Sequence, residues 1–116
     1  MQVAAPVGCE ERARAFYGGL LGLPEIAKPE ALAARGGCWF QCGSQQLHVG
    51  VADPFAPATK AHPAFAVEDA AALERLLGEL AAAGCATRHD VELPGVTRAF
   101  ADDPFGNRVE LVAPLA

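Results

Sequence analysis

The feature that most constrains this chain is a pattern written twice. QVAAPVGCEERARAFYGGLLGL, from Gln2 to Leu23, reads as a strand, a turn and an amphipathic helix. AFAVEDAAALERLLGELAAAGC, from Ala64 to Cys85, reads the same way with a shorter turn. Further on, QLHVGVA (46–52) matches RVELVAP (108–114), which sets His48 opposite Glu110 and Gln2 opposite Ala64. Repeats of this kind pack equivalent strands about a pseudo-twofold axis, and 116 residues suit one domain holding two copies.

Each copy predicts strand, helix, then three strands. In the first, Met1–Ala5 is a strand ended by Pro6 and Gly8. Ala13, Phe16, Tyr17, Leu20 and Leu21 recur at spacings of three and four and form one buried helical stripe, with Glu10 and Glu11 at its positive end and Gly22 past its stop. A short strand falls within Leu23–Lys28. Pro29 opens a short helix that Gly36 closes. CWFQC and QQLHVGV are strands joined by the hairpin signal Gly43-Ser44. Residues 53–60, with Pro54 and Pro57, form a connection. In the second copy, His62–Val67 is a strand, and Asp69 caps a helix carrying Leu73, Leu76, Leu77 and Leu80 up to Gly84. Strands at 87–91, 96–101 and 108–112 follow, the last two joined by the turn Asp103-Pro104-Phe105-Gly106. The fold class is therefore α+β: two βαβββ modules forming a curved mixed sheet around a cleft. The first repeat covers about 1–52 and the second about 61–116.

Side chains alternate across a strand. Arg108, Glu110 and Val112 consequently share one face of the last strand, while Gln46, His48 and Gly50 share a face of its counterpart. Each repeat then presents one metal-capable side chain on its final strand, between apolar residues that face the core.

Composition removes several functional classes. Hydrophobic residues make up 52% of the chain and charged residues 20%, which fits a packed domain and not a disordered one. The net charge of −5 comes with no basic run, so nucleic acid is not an expected partner. No apolar run approaches the ~20 residues of a membrane span, and the opening MQVAAPVG lacks the basic and apolar regions of a signal peptide. Cys9, Cys38, Cys42 and Cys85 are expected to be reduced thiols in a cytoplasmic protein.

ARAFYGGLLGL at Ala13–Leu23 resembles the first-helix motif of the vicinal oxygen chelate superfamily, which includes glyoxalases, bleomycin-resistance proteins, fosfomycin-resistance transferases and extradiol dioxygenases. DDPFGNRVEL at Asp102–Leu111 is similar to the hairpin that precedes that superfamily's closing metal-binding glutamate. With AHPAF and the paired modules, the resemblance spans the whole chain as a single glyoxalase-like domain. It implies a divalent metal (Zn, Ni, Mn, Fe or Co) held by His62, Glu110 and, on the first module's last strand, His48, with Gln46 as an alternative on the same face. Under the same alignment the counterpart of His62 falls one residue before Met1.

Two imidazoles and a carboxylate with open positions suit such metals. The centre would chelate adjacent substrate oxygens and stabilise an enolate or alkoxide in lyase, isomerase or oxygenase chemistry. Glu110 is either ligand or catalytic base. Gln2, Gln46, Trp39, Phe55 and Arg108 are the expected cleft residues. The resemblance also carries an alternative, a protein of the bleomycin-resistance type that sequesters a small molecule without metal chemistry. Either way it implies a homodimer. His89 is expected at the surface.

Overall fold

A computed structural model describes residues 1–115. The chain divides into two compact units, Met1–Ala58 and Thr59–Ala116, and each builds its own open, curved, four-stranded mixed sheet.

In the first unit the elements are β1 (Gln2–Ala5), α1 (Glu10–Ala13) running into a π-helical stretch (Arg14–Leu20), β2 (Glu25–Ile26), α2 (Glu30–Ala33), β3 (Cys38–Cys42) and β4 (Gln45–Val51). The sheet order is β1-β4-β3-β2, with β1 parallel to β4 and the other pairs antiparallel. Val3, Ala5, Cys38, Phe40, Leu47 and Val49 are buried on one face. Phe16 and Tyr17 are buried with them, Tyr17 lying 6.1 Å from the Phe40 ring. The helical stripe was expected to be α-helical throughout. Instead the chain widens after Ala13, where Leu21 N–H reaches the Phe16 carbonyl, five residues back, at 2.9 Å. This wider turn still buries Phe16 and Tyr17 together, so the stripe's pattern survives the change of helix type. Gly37, at φ +81°, passes so close to the Val49 carbonyl that a Cβ there would collide with backbone.

In the second unit the elements are β5 (Ala64–Ala66), α3 (Ala70–Ala82), β6 (Thr87–His89), β7 (Val96–Asp102) and β8 (Arg108–Pro114), with sheet order β5-β8-β7-β6. Asp69, in extended backbone, caps α3 by accepting from the Ala72 N–H at 2.8 Å. Leu73, Leu77 and Leu80 are buried on the helix, and Phe65, Ala99, Ala101, Val109 and Leu111 on the sheet. α3 packs on β7 and β8. Each buried leucine contributes about 1.5–3 kcal/mol by leaving water, so this helix fixes which sheet face is core. The residues between them, Arg98, Phe100, Arg108 and Glu110, must then lie on the face away from α3.

The registers reproduce the internal repeat. Gln2 stands opposite His48 on β1 and β4, and Ala64 opposite Glu110 on β5 and β8. One expected boundary moves: β5 begins at Ala64, so His62 lies on the run into the strand and not within it. Pairing nonetheless extends toward it, because the Glu110 N–H donates to the Pro63 carbonyl at 2.9 Å.

The β7–β8 hairpin is locked by its turn. Asp103 and Asn107 are buried. Asp103 Oδ1 accepts from the backbone N–H groups of Phe105 and Asn107, both at 2.9 Å, and Oδ2 accepts from Asn107 Nδ2 at 3.0 Å. This turn sets Phe100 opposite Glu110.

Candidate functional site

On the second unit, the face away from α3 brings His62 and Glu110 together. His62 Nδ1 lies 2.8 Å from the Lys60 carbonyl. A carbonyl only accepts, so that nitrogen carries the proton. Nε2 is thereby turned toward Glu110 Oε1 at 3.1 Å. Both side chains are largely shielded, 21% and 15% exposed. When both bonds form the ring is an imidazolium. When it is neutral, the Nε2 lone pair is left for a Lewis acid.

Residues that sequence reasoning missed complete the face. Arg98 donates to the same Glu110 oxygen at 3.3 Å and pairs with Asp90 at 2.7 Å. Phe100 sits under three guanidinium groups, with those of Arg108, Arg88 and Arg98 at 4.8, 5.5 and 5.7 Å from the ring centroid. The His62 ring meets it edge-on at 5.2 Å. Cations over an aromatic face are attracted to its π-density, and they also cover Phe100, which is only 7% exposed despite lying on the polar face. Arg88 pairs with Asp102 at 3.2 Å. Arg108 Nε is buried with no acceptor among the described residues. The signal was present in the sequence: alternation places Arg98, Phe100 and Asp102 on one face of β7, and the tight turn carries that face onto Glu110.

His48 belongs to the first unit and has partners of its own there. Its ring stacks on Trp39, centroids 3.6 Å apart and planes 4° from parallel. Its Nε2 donates to Gln46 Oε1 at 3.0 Å. Burial, and then the nearby N-terminal ammonium of Met1, pull its pKa below the usual histidine value, which favours the neutral ring. Gln2, Trp39 and His48 line a cavity of about 320 Å³ in this unit. Gln46 is exposed and Phe55 is half-buried in the connecting segment, and neither lines that cavity. His89 is exposed, 3.5 Å from Glu74.

The donor chemistry of the second unit fits two positions on a divalent cation. Ligand atoms about 2.1 Å from an ion lie about 2.9–3.4 Å apart between octahedral and tetrahedral angles, and Nε2 and Oε1 are 3.1 Å apart. The Nδ1–H bond to a carbonyl is the outer contact that orients a ligating histidine. Among the described residues no three His, Cys, Asp or Glu side chains cluster. Two donors are therefore what this unit offers, with Arg98 competing for one of them.

A family model of the Glyoxalase/Bleomycin resistance protein/Dioxygenase superfamily matches residues 2–111. A glyoxalase family protein from Bacillus anthracis is 51% identical over 97% of this chain and 90% of its own, with a TM-score of 0.89. Two more distant structures share the fold. Lactoylglutathione lyase from Agrobacterium tumefaciens is 22% identical (97% and 91% covered, TM-score 0.71), and the fosfomycin resistance protein FosX from Listeria monocytogenes is 15% identical (97% and 88%, TM-score 0.77). No curated protein matches the chain. No helix among the described residues is long and apolar enough to cross a membrane.

Proposed function

Because the chain belongs to the Glyoxalase/Bleomycin resistance protein/Dioxygenase superfamily, we propose that it is a small-molecule enzyme whose divalent cation is held through His62 and Glu110. The observation that carries this reading is the His62 ring, pinned at Nδ1 by Lys60 with Nε2 aimed at a shielded carboxylate 3.1 Å away. A cation bound there supplies Lewis acidity toward two adjacent substrate oxygens, suited to lyase, isomerase or oxygenase chemistry.

The chain's own residues set the conditions for that chemistry. Lys60 fixes the His62 tautomer. Arg98 donates to Glu110 Oε1, a bond that a cation at that oxygen must displace. Phe100 meets the His62 ring edge-on, with the Arg98 and Arg108 guanidinium groups over its face. Calorimetric titration with Ni, Zn, Mn, Co and Fe(II) is expected to give saturable binding that Glu110→Gln abolishes. Absence of binding at micromolar metal would sink the reading.

One observation favours a second reading, a binder that sequesters its ligand without metal chemistry. The guanidinium of Arg98 already takes the Glu110 oxygen that a cation would need. Under that reading the same titration is silent and small-molecule binding persists. Superfamily membership also supports assembly as a homodimer, which would double the scattering mass.

A further inference from the structure

The cavity of the first unit is unlike the face around Glu110 in its charge. It is lined by Gln2, Lys28, Leu32, Arg35, Trp39 and His48, together with Gly36 and the end of β4. Two of these side chains are cationic, and none of the described lining residues is Asp or Glu. The Lys28 ammonium is held at the wall by a hydrogen bond to the Gly36 carbonyl, which uses one of its three donors. The Arg35 side chain is exposed, and no described residue accepts a hydrogen bond from its guanidinium, so its planar fork is free. Leu32 and the indole of Trp39 supply an apolar wall, and the stacked imidazole of His48 holds that indole in place. About 320 Å³ lies at the lower end of the ~300–1,000 Å³ of small-molecule sites.

We propose that this cavity is an anion-binding subsite, taking the carboxylate or phosphate end of a small organic acid through Arg35 and Lys28 with its planar body against Trp39. A fork of N–H donors matches an oxyanion in two-point geometry, and an ammonium adds a point charge beside it. Two cations with no carboxylate among them attract a free anion, whereas Arg88 and Arg98 on the second unit are already paired. The inference rests on the preceding proposal only in making this acid the substrate. The subsite itself stands on the first unit alone.

Trp39 is the single tryptophan of the chain, so its emission reports on this cavity. The whole protein, treated with EDTA, is titrated with benzoate, phenyl phosphate and the neutral benzamide. At least one anion is expected to saturate the Trp39 signal and to bind about tenfold or more tighter than benzamide. Benzoate binds the tighter if the native group is a carboxylate, and phenyl phosphate if it is a phosphate. Arg35→Gln, an exposed substitution that leaves the core intact, is expected to weaken anion binding about tenfold and leave benzamide within about twofold. The proposal is overturned if benzamide binds as well as both anions, if Arg35→Gln binds them like the parent, or if neither anion binds by about 10 mM, weaker than a specific two-cation contact allows. Because no metal is present, silence of the cation titration leaves this result standing. Loss of anion binding would equally leave the His62–Glu110 reading intact.

Discussion

Replacing Asp103 with alanine should cost about 3–5 kcal/mol of folding stability, and the structure says where that figure comes from. The buried carboxylate accepts hydrogen bonds from the backbone N–H groups of Phe105 and Asn107 and from the Asn107 side-chain amide. Bonds to a charged acceptor are worth about 1.5–3 kcal/mol each, and their sum is not additive because water re-enters a truncated site. A chain of 116 residues has about 6–17 kcal/mol in total at the usual stability per residue, so between about a fifth and about four-fifths of it goes with one side chain. Asp103→Asn is the control. Its carbonyl oxygen still serves both backbone donors, but its amide nitrogen faces Asn107 Nδ2, and the loss should be about 1–2 kcal/mol. Urea unfolding reads both. With a slope of about 2 kcal/mol/M, the alanine variant's midpoint should fall by about 2 M and the asparagine variant's by less than 1 M. Equal shifts would refute the role assigned to the two backbone bonds. An alanine loss below about 1 kcal/mol would refute the claim that the turn's donors are sealed from water.

Arg98→Gln removes a guanidinium that competes for Glu110, so calorimetry should show divalent-cation affinity rising several-fold, at a stability loss of about 1–3 kcal/mol from the unpaired Asp90. Unchanged affinity would mean that Arg98 does not compete. Gly37→Ala forces a Cβ toward the Val49 carbonyl at positive φ and should destabilise by about 2–4 kcal/mol in thermal unfolding. A neutral result would show that the β3 entry yields. Burial, reinforced by the hydrogen bond to Glu10, raises the Cys9 thiol to about 11. The thiolate is the reactive form, so Cys9 should resist a disulfide reagent at pH 8 and react only as pH climbs toward that value, while half-buried Cys42 reacts first. Peptide mapping that found Cys9 labelled early would contradict this.

Much of the architecture was legible because it is repeated. The repeat aligns Gln2 with Ala64 and His48 with Glu110 from sequence alone, and the strand registers agree, since Gln2 pairs with His48 just as Ala64 pairs with Glu110. The α3 leucines and the Asp103 turn were equally readable, since each depends on neighbours close along the chain. The π-helical stretch was not, because Phe16 and Tyr17 satisfy a three-and-four spacing whichever helix carries them. Arg98 was overlooked in favour of Arg108, the nearer residue along the chain, although the hairpin register brings Arg98 to Glu110. Lys28 and Arg35 join one cavity only through the irregular path between β2 and β3, where no periodicity marks what faces what.

The central claim is that His62 and Glu110 act together as ligands. Its most direct test is the visible absorption of the Co(II)-loaded protein, whose d–d bands report the atoms around the ion. Wild-type protein should show saturable bands with nitrogen ligation, lost in both His62→Gln and Glu110→Gln while both variants stay folded. Bands of unchanged shape and affinity in either variant would contradict the account.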